Sequence, residues 1–577
     1  MRTISEIWSE GVAAGRPYPA YLVEEEGAWR EVSWAEAGRR VEELAAGFLD
    51  LGIRRGERVA ILARSRLEWT LCDFALISIG AVVVPIYQTS SGPECAYVLE
   101  HSGARALVLE DDEQVAKLAP HLPELPSLEH VISMERPSEG RLDLAALTAR
   151  GRALLEREPG AVEDARRAIR EEDELTYVYT SGTTGPPKGC VLLHKNYWVM
   201  VDMVDRVEGF WYERDSTVLF LPLAHVFGRL VEFGGARRGL TIAFCPDSNR
   251  IADSLTAVRP TIFPSVPRVY EKVYATVSAS LAEAKGMRRK LVDWALSVGY
   301  RASECRERRR PYPPALALQL GLADRLVFSR VKARLGGRVR VPVSGGAPLA
   351  REICAFFHAL DIRILEGYGL TESGTAATFN RPGNFRLGTV GPPLPGCDVR
   401  VAEDGEILIR GENVFAGYYR DEESTRAAFT EDGWLRTGDI GFLDEDGFLT
   451  ITDRKKNLIV TAGGKNIAPQ NIENALKASP LVSQALVIGD RRPYLTALVT
   501  IDETEAAGLA PDDVRATVER AVEAMNAARG RVEQVKRFAI LPRDFSAAKG
   551  EVTPTLKLKR RVCEEHFRAE IDGLYAP

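Results

Sequence analysis

Cysteine is sparse and unpaired: there are eight in 577 residues, at 72, 95, 190, 245, 305, 354, 397 and 563, and no two form a CxxC pair. This spacing supplies neither a disulfide framework nor a zinc site and reads as the reduced thiols of a cytosolic protein. Histidine is scarcer, at seven, with no evident catalytic dyad. Net charge is small for the length, 75 Lys and Arg against 81 Asp and Glu, which argues against a dedicated nucleic-acid binder. Internal repeats and long low-complexity segments are missing. The opening "MRTISEIWSEGVAAG" lacks the apolar run of a signal peptide. The longest apolar stretch, "LCDFALISIGAVVVPIY" (Leu71–Tyr87), carries Asp73 and Gly80, and β-branched residues gather only after the glycine. It reads as helix–turn–strand rather than as a membrane span. The expectation is a cytoplasmic protein.

At this length more than one domain is required, because single cores stop growing at roughly 250–300 residues. In the first third, "RVAILA" (Arg58–Ala63), "AVVVPIY" (Ala81–Tyr87) and "ALVLE" (Ala106–Glu110) alternate with helical stretches. Short apolar runs separated by helices imply crossover units and a parallel sheet buried on both faces. Near residue 453 the character changes. Before it, "GWLRTGDIGFLDEDGFLTITD" has hairpin turn signals; after it come a helix, "ALVIGD", "YLTALVT", a long helix from Pro511 and a basic tail. The expected architecture is α/β: a large N-terminal domain (1–453) of layered α/β subdomains with mostly parallel sheets, a hinge at 454–456, and a small mobile α+β C-terminal domain (457–577).

"YTSGTTGPPKG" (Tyr179–Gly189) sets permissive backbone beside stiff backbone. Gly182 and Gly185 allow close approach and inward-pointing amides; Thr180, Ser181, Thr183 and Thr184 add hydroxyls, Pro186 and Pro187 hold the loop open, and Lys188 brings charge. It is no Walker A loop, since "GCVLL" continues as a strand where that motif opens a helix. By itself the stretch also fits a surface hairpin turn. Three further stretches answer to it. "VPVSGGAPL" (Val341–Leu349) leads a strand into bare backbone suited to a flat ring. "EGYGLTES" (Glu366–Ser373) offers an aromatic, a hydroxyl and, in Glu372, a hard carboxylate suited to Mg2+. "RTGDIG" carries Asp439, suited to ribose hydroxyls.

In this order these stretches resemble the adenylate-forming superfamily of acyl-CoA synthetases, luciferases and nonribosomal adenylation domains, over essentially the whole chain. The resemblance implies ATP, Mg2+ and coenzyme A as cofactors and co-substrates. Thr180, Ser181, Gly182, Thr183, Thr184, Gly185 and Lys188 would hold the triphosphate. Gly345, Gly346, Ala347, Glu366, Gly367, Tyr368 and Gly369 would frame the adenine. Thr371 would meet the α-phosphate, Glu372 the metal, and Asp439 and Arg454 the ribose. Lys557 in "TPTLKLKR" matches the adenylation lysine, with Leu556 where the family has glycine. Lys456 in "DRKKN" would be the hinge, and Gly463 and Gly464 in "TAGGKNIAP" would pass the pantetheine. His225 in "LPLAHVFGR" matches the acyl-site motif. The catalytic set is then Lys557, Glu372, Thr180 and His225. No general base is needed, because the attacking carboxylate is already ionised; positioned cations and N–H donors carry the work.

"TIFPSVPRVYEKVY" (Thr261–Tyr274) and the insert after it are similar to the long-chain fatty acyl-CoA synthetases, so the implied reaction is AMP-forming ligation of a fatty acid to coenzyme A. Gly228, Gly234 and Gly235 are expected to leave room for the alkyl chain. Loading of an acyl carrier protein is the rival within the superfamily, and a non-catalytic nucleotide-binding module is the rival outside it; Lys188, Glu372, Asp439 and Lys557 together count against the latter. The partners implied are fatty acid, ATP and coenzyme A, with no nucleic acid. Between Lys285 and Arg310 there are nine Lys or Arg and three Asp or Glu, a local +6. With Leu291, Trp294 and Val298 as its apolar face, this segment reads either as peripheral contact with the inner face of the membrane or as a solvated basic helix.

Overall fold

The β-branched runs of the first third become the centre of one sheet. A computed structural model describes residues 1–136, 141–180, 186–460, 466–527, 529–546, 549–553 and 558–576. Within it the strands Arg58–Leu62, Val82–Ile86 and Ala106–Leu109 run parallel. His130–Ser133 and Leu142–Asp143 extend one edge in parallel, and Glu174–Thr180 lies parallel to Val82–Ile86 on the other side. Lys188–Leu193 and Gly417–Tyr418 complete the eight strands, each antiparallel to its neighbour. Val59, Ala60, Ile61 and Leu62 are fully buried, which is why the run is continuously apolar rather than alternating.

The stretch with the buried charge is indeed helix, turn and strand: Leu67–Ser78, Gly80 at φ +72°, then Val82–Ile86. Asp73 has found a partner 156 residues away. The Arg229 guanidinium, on the helix Val226–Arg238, donates to both its carboxylate oxygens at 2.6 and 2.8 Å, with both side chains fully buried. Removing one member of such a pair costs roughly 3–5 kcal/mol, because the other is left charged and dry. No helix among the described residues is long and apolar enough to cross a membrane.

Two further mixed sheets adjoin edge to edge. One has the order Ser216–Leu219, Thr241–Phe244, Tyr21–Glu25, Ala28–Val32; the other Ile262–Ser265, Val341–Ser344, Leu365–Tyr368, Thr378–Phe379. The Thr261 amide bonds the Ser216 carbonyl, and the Thr261 hydroxyl accepts from the Ser216 amide, joining the edges. An antiparallel sheet follows, from Cys397–Val401 through Glu406–Gly411 and Leu435–Leu443 to Leu449–Arg454; Asp446-Gly447 closes the hairpin between the last two strands, as expected. Beyond a single turn at Lys455–Asn457, a separate three-stranded sheet (Val482–Ile488, Leu495–Ile501, Val535–Ile540) is packed by the helices Pro469–Lys477 and Pro511–Ala527. This C-terminal layer rests against the helix Pro267–Ala282. There Arg268 donates to the Ser483 carbonyl at 3.3 Å, the Ser483 hydroxyl at 3.1 Å and Asp502 at 3.4 Å.

Candidate active site

Thr180 ends one strand and Lys188 begins the next, directly opposite each other in an antiparallel pair. The chain from Lys188 therefore continues as the strand Lys188–Leu193 and opens no helix there. The Lys188 ammonium bonds the Ser424 hydroxyl, sits 3.3 Å from the Asp421 carboxylate and lies over the Tyr418 ring at 5.3 Å. Asp421 is held ready because its other oxygen caps the helix Glu422–Ala428, accepting from the Ser424 amide. The Tyr418 hydroxyl in turn donates to Glu372 at 2.8 Å. The Thr180 hydroxyl lies 4.0 Å from Cys190, whose thiol is driven well above its usual range by burial and by the Glu372 charge. Three stretches distant in sequence thus meet here: the strands holding Thr180 and Lys188, the Glu372 turn, and Tyr418–Ser424.

Glu372 is presented by a single tight turn, Thr371–Ser373, fastened by the bond from the Leu370 amide to the Ser373 hydroxyl. Gly374 must follow: it has φ +67°, and a Cβ there would sit 2.6 Å from the Asn413 carbonyl. Beside this turn the Tyr368 hydroxyl donates to Asp439 at 2.6 Å, and the Arg454 guanidinium pairs with the other Asp439 oxygen at 3.0 Å. Burial first, and Asp439 second, push the Tyr368 phenol well above its ordinary value. Asp439 and Arg454 are directly opposed in neighbouring strands, so their pairing follows from register. Lys456 follows in the single turn Lys455–Asn457. Desolvation first, and the Arg454 charge second, lower its pKa, while the Asp439 and Glu372 charges oppose the change.

Gly345, Gly346 and Ala347 emerge from the strand Val341–Ser344, beside the strand that ends in Tyr368. Gly346 (φ +80°) and Ala347 are exposed, and the Phe227 ring closes the ledge from below, 3.2 Å from where a Gly345 Cβ would stand. His225 caps the helix carrying Phe227, its Nδ1 accepting from the Phe227 amide at 3.1 Å. The Val226 carbonyl next to it accepts from the Thr375 hydroxyl at 3.2 Å. His225 therefore stands between the glycine ledge and the Glu372 turn.

Several expectations change. Glu366, expected to help frame the adenine, has its carboxyl buried against the Leu349 amide and Cys354, and burial raises its pKa to about 8. Only its main chain is left for a nucleotide. Gly228, Gly234 and Gly235 leave no room for an alkyl chain. A Cβ on them would lie 2.4 Å from the Pro222 carbonyl, 2.1 Å from the Trp211 indole and 2.8 Å from Ile242 respectively, so the glycines are there for close packing. In the basic insert, Val298 is buried and Leu291 and Trp294 pack against the core, so the apolar face expected to meet a membrane points inward. Ser181, Gly182, Thr183, Thr184, Gly185, Gly463, Gly464 and Lys557 lie outside the described residues. Sequence reasoning passed over Tyr418, Asp421 and Ser424; the only local signal was the aromatic pair and helix cap of "GYYRDEEST".

The profile of the AMP-binding enzyme family matches residues 10–419, and that of the AMP-binding enzyme C-terminal domain matches 456–577. The chain is 39% identical to the long-chain-fatty-acid–CoA ligase FadD15 of Mycobacterium bovis, across 97% of this chain and 95% of that one. It is 32% identical to the long-chain-fatty-acid–CoA ligase ACSBG1 of Rattus norvegicus, across 95% and 82%. Among solved structures, the adenylation domain of a carboxylate reductase from Mycobacterium chelonae superposes with a TM-score of 0.77 at 24% identity, covering 100% of this chain and 91% of that one. The anthranilate CoA ligase AuaEII in complex with anthranoyl-AMP gives 0.74 at 21%, covering 98% and 97%.

Proposed function

Because this chain belongs to the AMP-binding enzyme family, we propose that it is an AMP-forming ligase that joins a long-chain fatty acid to coenzyme A. The observation that carries the reading is the pair of side-chain clusters carried four residues apart on one stretch, Lys188–Tyr418–Glu372 and Tyr368–Asp439–Arg454. In the first step a fatty-acid carboxylate oxygen forms a bond to the α-phosphorus of ATP, and the bond to the bridging oxygen breaks, releasing pyrophosphate. In the second, the coenzyme A sulfur attacks the acyl carbonyl, its thiol proton passes to solvent, and AMP leaves.

The residues divide along that path. Lys188, held by Asp421 and Ser424, exchanges these partners for phosphate oxygens when ATP arrives, so its charge is positioned beforehand. Asp439, already oriented by Tyr368 and Arg454, accepts from ribose hydroxyls. The exposed ledge at Gly346–Ala347 takes the adenine face. Among the described residues no group of three His, Cys, Asp or Glu could hold a metal by protein ligands alone. Glu372 offers a single hard carboxylate, which suits Mg2+, an ion that takes one or two carboxylates and completes its shell with phosphate and water. Held there with the nucleotide, Mg2+ would supply charge neutralisation at the departing pyrophosphate. His225 would lie beside the acyl carboxylate, and Lys557 would reach the α-phosphate from the C-terminal unit. That unit, 457–577, would turn about Lys456 between the two half-reactions, bringing Gly463 and Gly464 to the pantetheine.

The test follows pyrophosphate, AMP and acyl-CoA in parallel with ATP, Mg2+, coenzyme A and straight-chain acids from acetate to arachidate. Equal release of AMP and thioester, greatest with the long acids, supports the reading. Pyrophosphate without thioester points to another acceptor, and no turnover with any acid overturns it.

A further inference from the structure

Three of the exposed large apolar side chains among the described residues share one element, the helical rod that follows the basic insert. Pro314–Ala323, Asp324–Phe328 and Ser329–Arg334 run on without a break, the middle piece being one wider π turn. The rod's inner face (Leu316, Ala323, Val327, Phe328, Val331) is buried in the core beneath. Its outer face carries Leu318, Leu322 and Leu326, exposed by 78%, 49% and 38%. Four residues of α-helix overshoot a full turn by roughly 40°; the wider turn takes back that drift, so the third leucine returns towards the line of the first.

Arg325, Arg330 and Arg334 are exposed along the same rod and form no ion pair among the described residues. The one acidic residue of the rod, Asp324, is half-buried and tied to Lys332 at 2.7 Å. The outer face therefore presents leucine and arginine with no carboxylate. Arg301 reaches Gln319 at 3.5 Å from the neighbouring helix and adds another cation beside the rod. A soluble surface that exposes aligned leucines ordinarily answers to a partner. Unpaired cations around them select a surface that is negative and apolar at once.

We propose that the outer face of residues 314–334 docks this protein on a lipid bilayer bearing anionic headgroups. The leucines enter the boundary between headgroup and acyl chain, and the arginines pair with lipid phosphates. The purpose of such docking rests on the ligase reading, because a long-chain acid is concentrated in the bilayer; the docking itself does not depend on that reading. It also differs from contact through residues 285–310, whose apolar side chains face the core.

The full chain is sedimented with vesicles of pure phosphatidylcholine and of phosphatidylcholine with phosphatidylglycerol, without fatty acid or nucleotide. The wild type is expected to bind the anionic vesicles, less so as salt rises, and to leave the neutral ones largely unbound. Replacing Arg325, Arg330 and Arg334 together by Gln is expected to weaken that binding on the order of a hundredfold, at about fivefold for each cation near an anionic surface. The triple change Leu318→Gln, Leu322→Gln, Leu326→Gln is expected to weaken it at least tenfold. Circular dichroism and ligation of a water-soluble short acid report whether each variant is folded, and Arg330→Gln alone, expected to lose about fivefold, serves should a triple variant misfold. Wild-type failure to bind anionic vesicles overturns the proposal, as does binding that none of these changes weakens. A concentration-dependent dimer abolished by the same leucine changes would assign the face to a second copy and overturn it too. Vesicle binding without any turnover would leave the docking standing and remove the ligase reading alone.

Discussion

Glu366→Gln should remove a large part of the pH dependence of stability. The carboxyl has a pKa of about 8 in the folded protein against an ordinary 4.5, with burial as the leading cause. Below about pH 4.5 folded and unfolded chains both hold this proton, so the group is neutral to stability. Between 4.5 and 8 the folded chain keeps the proton while the unfolded chain has lost it, and stability falls as pH rises, by about 1.4 kcal/mol per pH unit. Above 8 the loss is complete, on the order of 5 kcal/mol, and stability no longer changes through this group. Glutamine keeps the shape and an acceptor for the Leu349 amide but has no proton to lose. The variant should match the wild type within about 1 kcal/mol at about pH 5 and exceed it by roughly 3–5 kcal/mol at about pH 8. Urea unfolding of the two proteins, compared pairwise at each pH, measures the difference while other titrating groups cancel. The ATP KM should change less than about twofold, since 1.4 kcal/mol of lost contact would already be tenfold. Parallel stability curves would refute the buried, protonated carboxyl. A tenfold rise in KM with no gain in stability would put the carboxylate on the nucleotide instead.

Three other changes test the site. Tyr418→Phe removes the hydroxyl bonded to Glu372 but keeps the ring under Lys188; the loss of a hydrogen bond to a charged group, roughly 1.5–3 kcal/mol, should weaken ATP·Mg2+ binding about tenfold or more by calorimetry. Unchanged affinity would make that bond incidental. Gly234→Ala drives a Cβ into the Trp211 indole, and overpacking of roughly 1–3 kcal/mol, less up to about 1 kcal/mol for better helix propensity, should lower stability without moving the chain-length preference. A shift toward shorter acids would return Gly234 to the acyl site. Lys557→Ala should abolish pyrophosphate release from acid and ATP, yet leave thioester formation from preformed acyl-adenylate largely intact; equal loss of both would remove the assigned role.

Much of the fold could be read in advance because its signals are local. Arg58–Leu62 and Val82–Ile86 are apolar throughout, since a strand covered on both faces has no wet side to mark. Gly80 announces its turn, and the pairing of Asp439 with Arg454 follows from a hairpin whose turn residues are in the sequence. Burial of "LCDFALISIG" was legible too, but not the partner that makes Asp73 tolerable, because Arg229 arrives from another helix.

The sequence by itself determined the parallel sheets, the strands that end at Thr180 and begin at Lys188, and the types of residue the chemistry needs, because each is encoded within a few turns or strand repeats. Only the tertiary structure decided what those residues touch. Lys188 meets Ser424 across 236 positions and Glu372 meets Tyr418 across 46, separations over which no periodicity survives. It also reversed two expectations. The space beside the glycines of Val226–Arg238 is taken by Pro222, Trp211 and Ile242, and the insert's apolar face packs against the core while the leucines of the next rod face out. The physical reason is the same in each case. A residue's type limits what it can do, but whether space, solvent or an opposite charge lies beside it is set by chain segments that only packing brings together.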